Sequence, residues 1–157
     1  MAEQSIRPYT PTEEKFAGVA IKAMSKVNVW IYRLTGGRLG GRFIGGAPVM
    51  LLTTIGRKSG QPRVAPLLYL RDGERVITVA SQGGMSKHPL WYRNLETNPD
   101  VEVTIDAETT KMTARRASDE EKQAIWPRLV EMYPDYDVYQ RRTTRNIPVV
   151  VLSPREA

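Results

Sequence analysis

Between residues 13 and 34, apolar side chains recur at steps of three and four. The members of this stripe are Phe16, Ala20, Ala23, Met24, Val27, Ile31 and Leu34. The spacing matches the 3.6-residue period of an α-helix and therefore predicts an amphipathic helix. Thr12 is the candidate N-cap, and Gly36-Gly37 marks the end of the helical pattern.

The predicted helix also carries a set of cations, namely Lys15, Lys22, Lys26 and Arg33. An apolar stripe on a surface helix usually packs on the core of its own protein, and we expect that arrangement here. The cations, with Trp30 and Tyr32 near the helix end, also fit adhesion to an anionic membrane surface. We give this second interpretation less weight.

Short β-prone runs follow a glycine-rich loop that spans residues 36–48. The predicted strands are 49–55, 63–70, 75–80, 101–105, 111–114 and 147–152. Short turns such as Asp72-Gly73 separate several of them, which predicts antiparallel hairpins, with strand 75–80 beside strand 63–70.

Two further helices are predicted between these strands. Residues 89–95 form a short helix, and the capping-box pattern of residues 118–121 opens a longer helix that Pro127 bends. Consecutive hairpins with helices between them predict an α+β domain around a closed or half-closed antiparallel sheet. We expect residues 13–157 to form this single domain, behind a flexible tail of residues 1–12.

The amino-acid composition limits the kinds of functional site that the chain can form. The 157 residues include no cysteine and one histidine, His88, which excludes disulfides and thiolate sites and leaves little for a metal centre. No metal site is predicted. No stretch is apolar enough to span a bilayer, so we expect a cytoplasmic protein. The formal charge of +6 favours an anionic partner without saying which kind.

Three of the cations meet at one predicted hairpin tip. Arg57, Lys58 and Arg63 lie within residues 56–63, together with the hydroxyl of Ser59. Guanidinium groups and backbone amides in such a turn suit phosphate or carboxylate oxygens. The alternative is a basic turn whose charges are simply hydrated, which is at least as common as an anion-binding turn.

A glycine-rich segment follows the 75–80 strand. In Ser81-Gln82-Gly83-Gly84 the side chains are scarce, so the backbone can approach a planar ring, although an ordinary turn has the same composition. Trp91 and Asn94 stand one helical turn apart on the next predicted helix and face the same way.

Tyr133, Tyr136 and Tyr139 recur at steps of three. On a helix or tight turn their phenols would project to one side, where three hydroxyl groups converge. Aromatic residues at this spacing more often serve packing. We interpret His88 as a loop residue.

Five of these segments, taken together, resemble the mycobacterial deazaflavin-dependent nitroreductase family. They are LLTT at 51–54, GRKSGQPRV at 56–64, ASQGG at 80–84, PLWYRNL at 89–95 and MYPDY at 132–136. The resemblance extends from the first helix to the last strand. It implies a split β-barrel, related to flavin reductases and pyridoxamine-phosphate oxidases, with coenzyme F420 as the hydride carrier.

The resemblance also implies roles for particular residues. The implied coenzyme-binding residues are Arg57, Lys58, Ser59, Arg63, Pro66, Val79, Ala80, Ser81, Gln82, Trp91 and Asn94. Tyr133, Tyr136 and Tyr139 would line the substrate side, with Tyr136 and Ser81 as the catalytic groups. Gln82 departs from the lysine of the family's best-known nitroreductase, so contact with the coenzyme tail could differ here.

These observations predict hydride transfer from reduced F420 to an electron-poor quinone, enone, lactone or nitro compound. The protein would orient the reactants while the cofactor supplies the chemistry. One rival is an FMN- or FAD-dependent enzyme on the same barrel. The others are a basic nucleic-acid or membrane-surface module and a coenzyme carrier without turnover. We expect a small-molecule acceptor and no nucleic-acid partner, with the first helix as the candidate for membrane contact.

Overall fold

The computed structural model describes residues 6–43 and 46–155. Its helices are α1 (Pro11–Thr35), α2 (Leu90–Thr97), α3 (Asp119–Met132) and α4 (Asp135–Arg142). Its strands are β1 (Val49–Ile55), β2 (Pro62–Leu68), β3 (Leu70–Asp72), β4 (Arg75–Val79), β5 (Asp100–Ile105), β6 (Glu108–Arg116) and β7 (Val149–Pro154). A single 3₁₀ turn covers Gln82–Gly84.

The seven strands form one antiparallel sheet in the order β2-β1-β5-β6-β7-β4-β3. Alternate residues of β7 belong to two buried clusters: Val150 and Leu152 to one, Val149 and Val151 to the other. Because successive strand side chains point to opposite faces, β7 is buried on both sides. α2 covers the first face, and α3 with α4 covers the second. The prediction of an α+β antiparallel domain is confirmed.

The predicted strand 63–70 is in fact two strands, which corrects the expected pairing. β2 pairs with β1, whereas only β3 pairs with β4. The break falls at Tyr69, whose N–H donates to the Pro48 carbonyl over 3.1 Å. Leu68 and Leu70 therefore lie at opposite ends of the strand order, so the sheet curls until its two edges meet at Tyr69. The Thr78 hydroxyl fastens this junction by donating to the Leu68 carbonyl over 2.8 Å.

Helix α1 begins two residues before the predicted start. Thr10, not Thr12, is the N-cap, and Glu13 completes a capping box with Pro11 at the first helical position. The proline removes a donor that would have no partner, so it favours this earlier start. The predicted stop signal is confirmed, because the helix ends at Thr35, one residue beyond the apolar pattern, and Gly36 caps it in the left-handed conformation, with φ 58°.

The expectation that the apolar stripe of α1 packs on the core is wrong. Four of its five large side chains are exposed, including Phe16 at 71%, Met24 at 69% and Leu34 at 66% of their area, and Ile31 is half-buried. The helix is instead held by Tyr32, which is buried against Val49 and Leu51. The stripe is exposed because the side of the helix that packs on the sheet, which includes Tyr32, lies roughly opposite the stripe. Among the described residues, none of the helices is long and apolar enough to cross a membrane.

The predicted tail, residues 1–12, is only partly covered, because residues 1–5 lie outside the described residues. From residue 6 onward the segment makes specific contacts. Arg7 pairs with Glu13 at 2.6 Å, and the Tyr9 hydroxyl accepts from Arg142 at 2.5 Å. The division into a tail and a domain that starts at residue 13 stays a prediction.

Candidate active site

The basic hairpin tip joins β1 to β2 and has a fixed backbone. The Gly56 N–H donates to the Gln61 carbonyl, and the Gly60 N–H donates to the Gly56 carbonyl, both over 2.8 Å. The Ser59 hydroxyl accepts from the Gln61 N–H and from the Arg63 guanidinium. A Cβ at Gly56 would lie 2.6 Å from that hydroxyl oxygen, so a side chain at this position would displace the Ser59 hydroxyl from these bonds.

The three cations of the tip are exposed and available. Within residues 6–43 and 46–155, neither Arg57, Lys58 nor Arg63 lies within ion-pair distance of a carboxylate. Six other arginines do form such ion pairs, namely Arg7, Arg75, Arg115, Arg128, Arg141 and Arg155. The sequence thus places three unneutralised charges on one rigid turn, which is suited to bind an anion.

Asn94 links α2 to the hairpin. Its side chain is buried, with 5% of its area exposed. The side-chain oxygen accepts from the Arg57 N–H at 3.2 Å, and the side-chain nitrogen donates to the Thr54 hydroxyl at 3.1 Å. Asn94 therefore positions the first cation of the tip. Trp91, one helical turn earlier, is half-buried at the edge of the core.

We predict that Asn94→Ala lowers the free energy of unfolding by roughly 1–3 kcal/mol, because a buried hydroxyl and a backbone N–H lose their partner. Urea unfolding followed by circular dichroism measures this. Gln123→Ala, at an exposed position of α3, is the control and should change stability little. Equal stability of the Asn94 variant and the wild type would mean that these bonds contribute nothing.

The Ser-Gln-Gly-Gly segment forms a tight loop at the end of β4. Ser81 is in the right-handed helical region, whereas Gln82, Gly83 and Gly84 have φ of 42°, 65° and 79°. In the described residues, the backbone N–H groups of residues 81–83 meet no acceptor. The Ser81 hydroxyl is also without a partner among the described residues. Donors are therefore left for a ligand.

Val79 and Ala80, predicted to border the ring, have buried side chains in the two core clusters. Only their backbone could face a ligand. Pro66, on β2, is half-buried. The loop itself is pressed against α4, since a Cβ at Gly84 would lie 2.7 Å from the Tyr139 carbonyl oxygen. This close approach requires glycine and brings α4 next to the loop.

The structure brings the three predicted tyrosines together. The ring centroids of Tyr133 and Tyr136 are 5.0 Å apart, and those of Tyr136 and Tyr139 are 6.5 Å apart. The hydroxyls of Tyr133 and Tyr139 lie 2.9 Å from each other. Because Tyr139 also contacts Gly84, the tyrosine cluster lies beside the loop.

The hydroxyl of Tyr136 differs from the other two. Its ring is buried, with 4% of the residue exposed, yet no hydrogen bond joins its hydroxyl to any residue that the structure describes. Burial raises the pKa of Tyr136 above its ordinary value, and it also raises the pKa of Tyr133 and Tyr139. Tyr136 is therefore a protonated, unengaged donor at neutral pH.

Sequence reasoning missed three residues that hold the loop and the segment just after it. Glu14 of α1 accepts from the Ser86 N–H and hydroxyl at 2.7 and 2.9 Å. Arg142 donates to the Gly83 carbonyl and to Tyr9, and Arg145 donates to several carbonyls. These residues are far from the loop along the chain, so no local pattern marks them.

His88 lies in the loop that leads to α2, as predicted. Its ring stacks edge-on with Tyr92 at 5.0 Å between centroids. In the part of the chain that the structure describes, no three histidine or acidic side chains are grouped to hold a metal ion.

Comparison with known proteins identifies the family. Residues 24–154 match the family model described as F420H(2)-dependent quinone reductase. The chain belongs to this family. Its relatives include an F420H(2)-dependent quinone reductase of Mycobacterium tuberculosis, 44% identical over 80% of this chain and 86% of that protein. Membership confirms the predicted reductase class, coenzyme F420 and quinone reduction.

Solved structures support the fold. An F420-H2 dependent reductase matches with a TM-score of 0.63 and 41% identity, over 68% of this chain and 94% of that one. A candidate pyridoxamine 5'-phosphate oxidase from Listeria innocua matches with a TM-score of 0.51 and 20% identity, over 69% and 84%. The predicted split β-barrel is confirmed.

Proposed function

We propose that this protein binds F420H2 between the basic hairpin, the Ser81–Gly84 loop and α2, and reduces a quinone on the side of the tyrosine cluster. The observation that carries the proposal is the set of three hairpin cations with no carboxylate partner in the described residues. When bound, the coenzyme supplies a hydride from C5 of its reduced deazaflavin. The chain's own residues bind the coenzyme, orient the quinone and donate the proton that the reduced quinone needs.

Arg57, Lys58 and Arg63, with the Ser59 hydroxyl, would hold the phosphate and oligoglutamate tail. Guanidinium groups donate in a planar fork that matches oxyanions, and the lysine adds a point charge. The turn is held by its own backbone bonds, so the cations need little ordering when the anion arrives. Their fit to a polyanionic tail supports F420 over a cofactor without a charged tail.

The deazaflavin ring would lie against the loop. Residues 81–83 offer N–H groups that meet no acceptor in the described part of the chain, and these suit the carbonyl oxygens of a flavin-like ring. Trp91 offers a flat apolar face nearby, and Asn94 acts by fixing the hairpin. Gln82 replaces the lysine of the best-known nitroreductase, so its side chain adds a neutral contact where that enzyme has a charge.

The acceptor would lie above the ring, near Tyr136. A quinone that accepts a hydride at one end develops negative charge on an oxygen, which must then be protonated. Tyr136 is a protonated donor whose hydroxyl bonds to none of the residues that the structure describes, and the Ser81 hydroxyl is a second donor. Enones, lactones and nitro compounds develop similar oxygen charge on reduction, so we include them among the acceptors.

Titration of the purified protein with F420, FMN and FAD, followed by fluorescence, tests the coenzyme assignment. We expect F420 to bind most tightly and F420H2 to be oxidised when menadione, a simple quinone, is added. Tighter binding of FMN would overturn the assignment in favour of the flavin enzyme. Tight binding of F420 without turnover on any acceptor would favour a coenzyme carrier.

We further propose that the exposed face of α1 adheres to an anionic lipid surface. At ~100° per residue, six exposed apolar side chains of α1 fall within about 80° of one another, and they are Phe16, Ala20, Ala23, Val27, Trp30 and Leu34. The exposed side chains of Val19 and Met24 widen this face on its two sides, whereas Ile21 lies apart from it. Lys15, Lys22, Lys26 and Arg33, all exposed, form one line beside that face. This pattern of apolar face and flanking cations is typical of helices that lie in the membrane interface.

Membrane binding can be tested with vesicles. We predict that the protein co-sediments with vesicles containing phosphatidylglycerol and much less with pure phosphatidylcholine. Val27→Glu should weaken vesicle binding by about tenfold or more. The substitution removes an apolar side chain that would be buried in the lipid, and it adds a negative charge that the anionic headgroups repel. Gln123→Glu, which adds the same charge on α3, should not.

A second copy of the chain could cover the same face instead. Light scattering on the wild type and on the Val27→Glu variant separates the two cases. The membrane proposal would be contradicted if the wild type were a dimer that the substitution dissociates, and if the wild type did not bind vesicles. The predicted cytoplasmic location stays a prediction.

A further inference from the structure

Arg145, three residues beyond α4, donates to four acceptors around the loop that follows β4. Its Nε donates to the Met85 carbonyl at 2.7 Å. Its two terminal nitrogens reach the Ala80 carbonyl at 3.1 Å, the Ser81 carbonyl at 2.6 Å and His88 Nδ1 at 2.9 Å. One guanidinium therefore joins the residues before the loop to those after it.

The loop needs such support, because its backbone is strained. Gln82 and Asp106 are the described non-glycine residues with positive φ, and Gln82 is followed by two more left-handed residues. A side chain in this region clashes with its own backbone, so the conformation persists only where the surroundings impose it. Strain of this kind often accompanies ligand sites.

Arg145 is well placed to impose that conformation. Ala80, Ser81 and Met85 are all buried, and buried carbonyl groups require donors. In the described residues Arg145 has no carboxylate within ion-pair distance. Its guanidinium therefore donates to the carbonyls of the loop and to His88. Burial lowers its pKa to about 10, which leaves it charged at neutral pH.

Arg142 supports the same edge of the loop from α4. It donates to the Gly83 carbonyl at 2.9 Å, and its guanidinium lies 4.5 Å from the ring centroid of Tyr9. The carbonyls of residues 80, 81, 83 and 85 thus accept from the two arginines. The N–H groups of residues 81–83, which meet no described acceptor, are the complementary donors of the same loop.

We propose that Arg145 is a positioning residue for coenzyme binding: by holding the carbonyls of Ala80, Ser81 and Met85, it fixes the loop with its free N–H groups ready for the deazaflavin ring. This inference rests on the proposed function, which places the ring at this loop. Arg145 itself touches neither coenzyme nor acceptor. It acts on coenzyme affinity through the loop.

The alternative is that Arg145 only stabilises the fold, and three variants separate the two roles. Arg145→Gln removes the charge and most of the donors. Arg145→Lys keeps the charge but lacks the planar fork that reaches several carbonyls at once. Arg141→Gln is the matched control, because Arg141 lies on the exposed side of α4 and pairs with Asp137.

Three quantities are measured for each variant: the Kd for F420H2, the KM for menadione, and hydrogen exchange of the coenzyme-free peptide that covers residues 79–88. For Arg145→Gln we expect the Kd to rise by about ten- to a hundredfold, the range that lost bonds to a charged group produce. Exchange in the loop should be faster and the KM for menadione nearly unchanged. Arg145→Lys should recover part of the affinity, and Arg141→Gln should behave as the wild type.

A Kd and loop exchange equal to those of the wild type in both Arg145 variants would overturn the inference. Faster loop exchange with an unchanged Kd would show that the loop does not bind the coenzyme, which contradicts the proposed ring site and this inference with it. If Arg145→Gln does not fold, Arg145→Lys decides, and a Kd and KM that rise together in that variant would count for a purely structural role.

Discussion

Replacing both Lys58 and Arg63 with alanine should weaken F420H2 binding by about 3 kcal/mol, or roughly a hundredfold. Charge-assisted bonds to an anion typically contribute ~1.5–3 kcal/mol each. We take the lower end for each residue, because both side chains are exposed and water screens them. The fold should survive, since neither cation makes an ion pair with a described carboxylate.

Fluorescence titration at two salt concentrations measures the effect. Salt should weaken the wild type more than the double variant, because fewer charges remain to be screened. The control is Arg71→Ala with Lys111→Ala, two exposed cations on β3 and β6, which changes the net charge equally. If the double variant bound F420H2 as tightly as the wild type, with a normal unfolding transition, the role of the hairpin in tail binding would be wrong.

Local patterns predicted the elements of the fold well. β1 matches residue for residue, and α1 differs by two residues at its start and one at its end. These elements follow from side-chain period and capping chemistry, which are local. The split at Tyr69 was not predictable in this way, because it depends on how the curved sheet brings its two edges together.

The stripe of α1 shows a different limit. Periodicity shows that a helix has an apolar face, but it does not say which surface covers that face. Here the docked side is set by Tyr32, whose hydroxyl accepts from the Asp106 N–H at 2.7 Å. A distant turn therefore decided the orientation, and the apolar face was left exposed.

The candidate site divides in the same way. The hairpin cations, the loop and the tyrosines carry local signals of charge, glycine content and spacing. Glu14, Arg142 and Arg145 do not, since they act on the loop from 59 to 72 residues away along the chain. The link between Asn94 and the hairpin also spans distant segments. Residues that could face a ligand were thus predictable, and those that hold them were not.

Tyr136→Phe should lower turnover by about ten- to a thousandfold while leaving the Kd for F420H2 nearly unchanged. The lower bound is the loss of one modest hydrogen bond, and the upper bound is the loss of a donor positioned at a developing charge. Packing is kept, because the ring that contacts Trp126 and Tyr133 remains. Since burial raises the pKa of Tyr136, its proton should stay available as pH rises through ~10, the ordinary value for tyrosine.

Single-turnover oxidation of F420H2, with menadione and a nitro compound as acceptors, isolates this chemical step from product release. Tyr133→Phe is the matched control, because it removes a hydroxyl that is already paired with Tyr139, and it should reduce the rate much less. An unchanged rate in Tyr136→Phe with both acceptors would make Tyr136 a packing residue. Ser81, whose hydroxyl has no partner among the described residues, would then be the donor to test, because its replacement by alanine should lower the same rate.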